Sequence, residues 1–177
     1  MSKANKSNKA IKYRLYPNDE QKVMFAKTFG CCRFVYNQLL ALQKQRYKDG
    51  ESHLSKLKSN EFATRTLKKD YDFLKEIDKF AVSNAVFHLA DAYDRFFKKQ
   101  NHFPKFKSKR KSKKSYTTNF TNNNILIGKN VIKLPKVGMV KAVIHRLPKD
   151  DWKLKSVTVS QDSVGNYFAS VLFEYEQ

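Results

Sequence analysis

The residues "AIKYRLYP" at 10–17 set Ile11, Tyr13 and Leu15 against Lys12, Arg14 and Tyr16. Alternation of period two predicts a half-exposed strand, which the proline then stops. The period changes at once. Asn18 with Gln21 three residues later is a capping-box arrangement for a helix start. Phe25, Phe29, Cys32, Tyr36 and Leu39 follow at spacings of four and three, which puts them on one helix face, and Asp49 and Gly50 end it. A second helical stretch is expected at about 54–69 and a third at 79–99, the latter with Val82, Val86, Leu89, Tyr93 and Phe96 in the same rhythm. Three antiparallel helices of this kind bury their aromatic stripes in a small bundle. Their Met, Cys and ring positions are therefore read as core, not as a cofactor box.

Further along, the texture turns to short β-like runs: "NILIG", "VIKLP", "MVKAVIHR", "KLKSVTVSQ" and "NYFASVLFEYE". The last two are separated by residues 162–166, a hairpin signal containing Gly165. The expected class is α+β, with five or six small strands forming a barrel or sandwich. The lone first strand belongs with the later ones, so the helices interrupt the β-domain. The expected division is a flexible basic arm at 1–9, a β-domain from 10–17 and 103–177, and an inserted helical domain at 18–102.

Charge changes the picture from fold to partner. The chain has 36 Lys+Arg against 16 Asp+Glu, a formal charge of +20, which points to a polyanion. The excess is uneven: residues 95–149 hold 16 Lys/Arg and no acid, whereas 15–97 hold 14 Lys/Arg against 11 acids. No apolar run approaches the roughly 20 residues that span a bilayer, and "MSKANKSNKA" has no apolar segment of the signal-peptide kind. With no membrane partner and only the adjacent Cys31 and Cys32, which suit neither a mutual disulfide nor a zinc site, a cytoplasmic setting is expected.

Nine Lys/Arg lie between Lys98 and Lys114, interleaved with Phe103, Pro104 and Phe106. Lys105, Lys107, Lys109, Arg110, Lys111, Lys113 and Lys114 are candidates to track phosphates, with rings available for stacking. Tyr116, Thr121, Asn122, Asn123 and their polar neighbours offer hydrogen-bonding groups suited to base edges or riboses. The competing reading is a solvated linker. Catalytic signals are sparse: His53, His88, His102 and His145 lack metal-ligand spacing, there is no Gly-rich phosphate loop or nucleophile elbow, and the β-region carries too few carboxylates for a two-metal nuclease. In "EIDKFAVSNAVF" at 76–87, Asp78 can cap a helix with Lys79 and Ser83 one turn apart on one face. Spacing alone favours an ordinary helix start there.

The segments "YRLYPNDEQ", "TFGCCRFVYNQLL", "EIDKFAVSNAV", "FPKFKSKRKSKKSYTTNFTNNNI" and "IKLPKVGMVK" resemble, in order, the N-terminal half of TnpB (OrfB), an insertion-sequence protein traditionally labelled a transposase. The likeness runs from about Ile11 to the end. It implies an oligonucleotide-binding-like barrel, or wedge, interrupted by a helical recognition domain whose first helices carry a helix-turn-helix label. It also implies guide RNA derived from the transposon end and double-stranded DNA with a short adjacent motif as partners, with guide pairing reading the remaining sequence. By motif, Lys79, Ser83, Thr121 and Asn122 align with positions that contact the DNA motif, and Lys56 aligns loosely. The family's RuvC aspartates, glutamate and CxxC zinc ribbon have no counterpart here. The expectation is therefore a truncated, non-catalytic module without cofactors of its own, Mg and Zn belonging to the other half. Alternatives are a subunit completed by a separate RuvC chain, a guide-independent sequence-specific DNA-binding regulator, and a gene remnant.

Overall fold

A computed structural model describes residues 3–177; Met1 and Ser2, part of the expected arm, lie outside the described residues. The chain divides into two units: residues up to Phe25 with Lys113–Gln177, and Ala26–Ser112.

The first unit is a seven-stranded, wholly antiparallel sheet. Its strands are β1 (Lys6–Tyr16), β2 (Lys114–Asn119), β3 (Leu126–Gly128), β4 (Val131–Leu134), β5 (Gly138–Val143), β6 (Lys153–Gln161) and β7 (Tyr167–Glu176). They lie in the order β2-β6-β7-β1-β5-β4-β3. As the alternation required, β1 joins the later strands. It pairs with β7 from Lys6↔Glu176 to Leu15↔Tyr167 and with β5 at Arg14↔Val143 to Tyr16↔Lys141. Two expectations are corrected. Residues 6–9 are strand, not arm, because the long β7 supplies ladder partners for them. The sheet is open rather than a closed barrel, since among the described residues β2 pairs only with β6 and the three-residue β3 only with β4.

Ile11, Tyr13 and Leu15 of β1 are buried with Val157, Val159, Ala169, Val171 and Phe173. Phe25 completes this core: it is fully buried, its ring centre 5.6 Å from Tyr167 and 6.2 Å from Tyr116. Truncating such a ring to alanine costs about 3–5 kcal/mol.

The helix carrying Phe25, α1 (Asp19–Lys48), starts as its sequence specifies. Asn18 Oδ1 accepts from the Gln21 N–H at 2.8 Å and Gln21 Oε1 from the Asn18 N–H at 3.0 Å, a reciprocal box that satisfies two otherwise orphaned donors. The second unit takes the rest of α1 together with α2 (Lys56–Glu61), a π-helical turn (Phe62–Leu67), α3 (Lys68–Asp70), a 3-10 turn (Asp72–Glu76) and α4 (Lys79–Phe97). Phe29, Tyr36 and Leu39 of α1 and Val82, Val86, Leu89 and Tyr93 of α4 are buried, as their spacing predicted. The Thr64 hydroxyl donates back to the Asn60 and Glu61 carbonyls where the chain widens into the π turn. Among the described residues no helix is long and apolar enough to cross a membrane.

Candidate nucleic-acid interface

Residues 103–112 belong with the helical unit rather than with the strands that follow them. The reason is packing. Pro104 is buried, and Phe103 meets Tyr93 and Phe96 edge-on at 5.4 and 5.1 Å. The backbone is pinned at Lys107, whose N–H donates to Asn37 Oδ1 and whose carbonyl accepts from Asn37 Nδ2, both at 2.8 Å. Beyond that point the Ser108 carbonyl accepts from the Ser112 N–H and its hydroxyl from the Lys111 N–H, folding the run into a turn. Lys105, Lys109, Arg110 and Lys111 are exposed on this anchored loop. Lys107 is exposed as well, with its ammonium 4.2 Å from the centre of the Tyr36 ring. Burial pushes its pKa down, with Cys32 acting in the opposite sense. Of the two rings expected to stack on bases, Phe103 is engaged by the helices, while Phe106 is 52% exposed with the Lys44 ammonium 4.4 Å from its centre.

On α4, Asp78 caps the helix by accepting from the Phe80 N–H at 3.1 Å. Lys79 is exposed, Ser83 half-buried, and Phe87 follows one turn later on the same stripe. The Lys56 ammonium lies 4.6 Å from the centre of the Phe87 ring, so α2 brings it onto that stripe. Lys68 joins it: burial first, then the neighbouring Lys79 charge, lowers its pKa, while Asp78 opposes this. Neither Lys68 nor Asn37 stands out in the sequence. The partners of Asn37 lie 70 residues away, and no local pattern announces them.

In the sheet unit, Lys113 and Lys114 are exposed at the start of β2. Tyr116, expected at the interface, is instead 3% exposed and packs on Phe25. The physical reason is that residues 114–119 form a strand, so Tyr116 and Thr118 alternate inward; the Thr and Asn content of the run hides its period. Residues 121–124 form a tight turn with φ of +47° at Asn122 and +56° at Asn123. The Asn124 N–H donates to the Thr121 carbonyl at 3.1 Å, closing it, and Asn124 Oδ1 accepts from the Thr121 N–H at 2.8 Å. Asn is among the few side chains that adopt this backbone readily. The turn therefore holds Thr121, Asn122 and Asn123 exposed on a defined backbone.

A model of the OrfB helix-turn-helix domain of IS605 type matches residues 5–52. A protein of Streptomyces pristinaespiralis named "Putative RNA-guided DNA endonuclease" is 31% identical over 168 residues, covering 94% of this chain and 41% of that protein. The chain is similar to the N-terminal part of TnpB (OrfB) proteins. A second TnpB-family relative, "Putative RNA-guided DNA endonuclease InsQ" of Escherichia coli K12, is 30% identical over 174 residues, 94% of this chain and 40% of its own length. The chain thus spans well under half the length of these two relatives. "Virulence protein VsdF" of Salmonella dublin is 32% identical over 111 residues, which cover 57% of this chain and 93% of VsdF. In this TnpB-like chain, the residues matching the helix-turn-helix model fold as β1, a connecting turn and the single helix α1.

Proposed function

We propose that this chain is a nucleic-acid-holding module of a TnpB-type RNA-guided system, binding a guide RNA from the transposon end and a short motif in double-stranded DNA. Lys105, Lys109, Arg110, Lys111, Lys113 and Lys114 neutralise phosphates. Lys79 and Ser83, with Lys56 and Lys68 beside them, and Thr121, Asn122 and Asn123 on their turn contact the DNA motif. The sheet acts as the wedge, and cutting belongs to a RuvC-like region, in the same or a separate chain, which also carries the Mg and Zn.

The observation that carries this reading is the double hydrogen bond from Asn37 to the Lys107 backbone. A solvated linker has no use for such an anchor, whereas a phosphate-tracking loop gains affinity from having its cations ordered before binding. The names of the two long relatives supply the RNA and DNA. The guide-independent regulator is less favoured, because the segment matching the helix-turn-helix model contains one helix rather than two.

The test is to purify the protein from its native host and sequence the nucleic acid that accompanies it, with and without RNase. A discrete RNA ending in transposon-flank sequence is the expected result. Heterogeneous RNA, or none, overturns guide binding and leaves the DNA-binding regulator.

A further inference from the structure

The sheet unit has a groove of about 820 Å³ lined by Asn119, Phe120, Trp152, Lys153, Lys155 and Ser156, among others. None of these residues belongs to the basic loop or the polar turn. Two local features build it. The β6–β7 register shifts between Leu154 and Ser156, leaving Lys155 as an extra residue in β6. A bulge of this kind re-aims the strand and frees one residue from the ladder. Here the freed carbonyl of Lys155 accepts from the Phe120 N–H at 2.9 Å, which fixes Phe120, a residue 37% exposed, at the end of β2.

The second feature is the seating of Trp152. Its backbone N–H donates to the Lys149 carbonyl at 3.0 Å. Its indole stacks on Tyr175, with centres 5.4 Å apart and planes 21° from parallel, and lies against Phe173 at 5.7 Å. The Lys9 ammonium and the Arg146 guanidinium stand 5.6 and 5.7 Å from its centre. Acid is present but outnumbered. Glu174 is shared between Lys6 at 3.4 Å and Lys155 at 4.0 Å, and Asp150 and Asp151 precede the indole in the chain.

We infer that this groove is the seat of an unpaired nucleotide of a single-stranded nucleic acid. The base lies against Trp152 and Phe120, the flanking phosphates meet Lys153 and Lys155, and Asn119 and Ser156 hydrogen-bond to sugar or base edge. Flat rings bordered by cations are what sequence-tolerant single-strand binding requires, because every base has a π face and every linkage a charge. An acidic peptide would use the cations but leave the rings without a role, and a duplex keeps its bases stacked on one another. The inference rests on the nucleic-acid reading above and adds a site and a strand state to it.

Trp152 is the only tryptophan of the chain, so its fluorescence reports on this groove alone. The experiment titrates the full chain, stripped of nucleic acid at high salt, with unstructured 12-nucleotide oligo(dT) and oligo(U), a 12-base-pair duplex, and poly-glutamate. Tryptophan emission and the anisotropy of dye-labelled oligonucleotides are read in parallel. Single strands should quench Trp152 saturably, while the duplex raises anisotropy without quenching. Phe120→Ala and Lys153→Gln leave the indole in place and should each weaken single-strand binding about fivefold or more, with duplex binding unchanged. The ratio of oligo(U) to oligo(dT) affinity tells whether the strand is RNA or DNA. Single-strand binding without quenching, and insensitive to both substitutions, overturns the seat while leaving the proposed function standing. Quenching by poly-glutamate at equal affinity overturns it in favour of an acidic protein partner. Failure of both strand and duplex to bind removes this inference and the proposed function together.

Discussion

Asn37 engages both backbone groups of Lys107, adding a polar anchor for residues 103–112 to the packing of Phe103 and Pro104. Exposed hydrogen bonds contribute about 0.5–1.5 kcal/mol each, so Asn37→Ala should loosen the segment without unfolding the helices. Trypsin cleavage within residues 105–111 should become several-fold faster while Tm falls little; unchanged cleavage would show that Phe103 and Pro104 hold the loop alone. Cys32 gives a second residue-scale prediction. Burial above all, with the adjacent Cys31 and then Asp78 adding to it against Lys107, pushes its pKa up to about 12, and Sγ donates to the Ala81 carbonyl at 3.4 Å. Since the thiolate is the reactive form, native Cys32 should resist a thiol reagent at pH 8 and react promptly once denaturant is added. Rapid native labelling would contradict that environment. Sequence identified Cys32 as core through its place in the apolar rhythm, but nothing local could show that Asn37 had a partner.

At the scale of elements, the turn at residues 121–124 joins conformation to chemistry. Asn123 has φ of +56°, a backbone that costs a β-branched residue about 1–2 kcal/mol. Asn123→Val should therefore lower Tm, whereas Asn123→Gly should keep Tm and reduce affinity for DNA carrying the correct motif; equal affinity in the glycine variant would remove Asn123 from the interface. The helical unit carries its own pH response. His53 packs edge-on against Tyr93 at 4.6 Å, and His88 lies on α4. Burial first lowers both pKa values; Asp94 opposes the shift at His53, and Asp91 opposes it at His88, where Lys107 adds to the lowering. A histidine whose folded pKa lies below its ordinary value binds fewer protons folded than unfolded. Its stabilising contribution is complete above about pH 6.5 and is lost as pH falls through the folded value. Melting at pH 7.5 and 5.5 should show a lower Tm in acid, and His53→Gln with His88→Gln should shrink the difference; a Tm that rises in acid would reverse the argument. The helices and most strands were legible because period and punctuation agreed. β2 was not, because in residues 114–119 only Tyr116 is large and apolar, so its alternation looked like polar chemistry.

For the whole molecule, a charge of +20 makes the proposed binding to nucleic acid strongly salt-dependent. Replacing Lys105, Lys109 and Lys111 together with alanine should reduce the slope of log K against log salt by about 0.9 for each phosphate of duplex DNA that is no longer neutralised. A slope that does not move would return the segment to the status of linker. The sequence by itself determined the α+β class, the starts of α1 and α4, the return of the first strand to the later sheet, and the positive charge that favours a polyanion. These follow from local periodicity, capping and summed charge, each of which acts over a few residues or over none in particular. Only the tertiary structure decided that residues 6–9 are ladder rather than arm, that the sheet stays open, that Tyr116 turns inward, and that Phe120 and Trp152 line one groove. Each of these depends on which distant residue supplies a hydrogen bond or a packing surface, as Glu176 does for Lys6 and Lys155 for Phe120. A period of two or of 3.6 carries no information about partners at that separation.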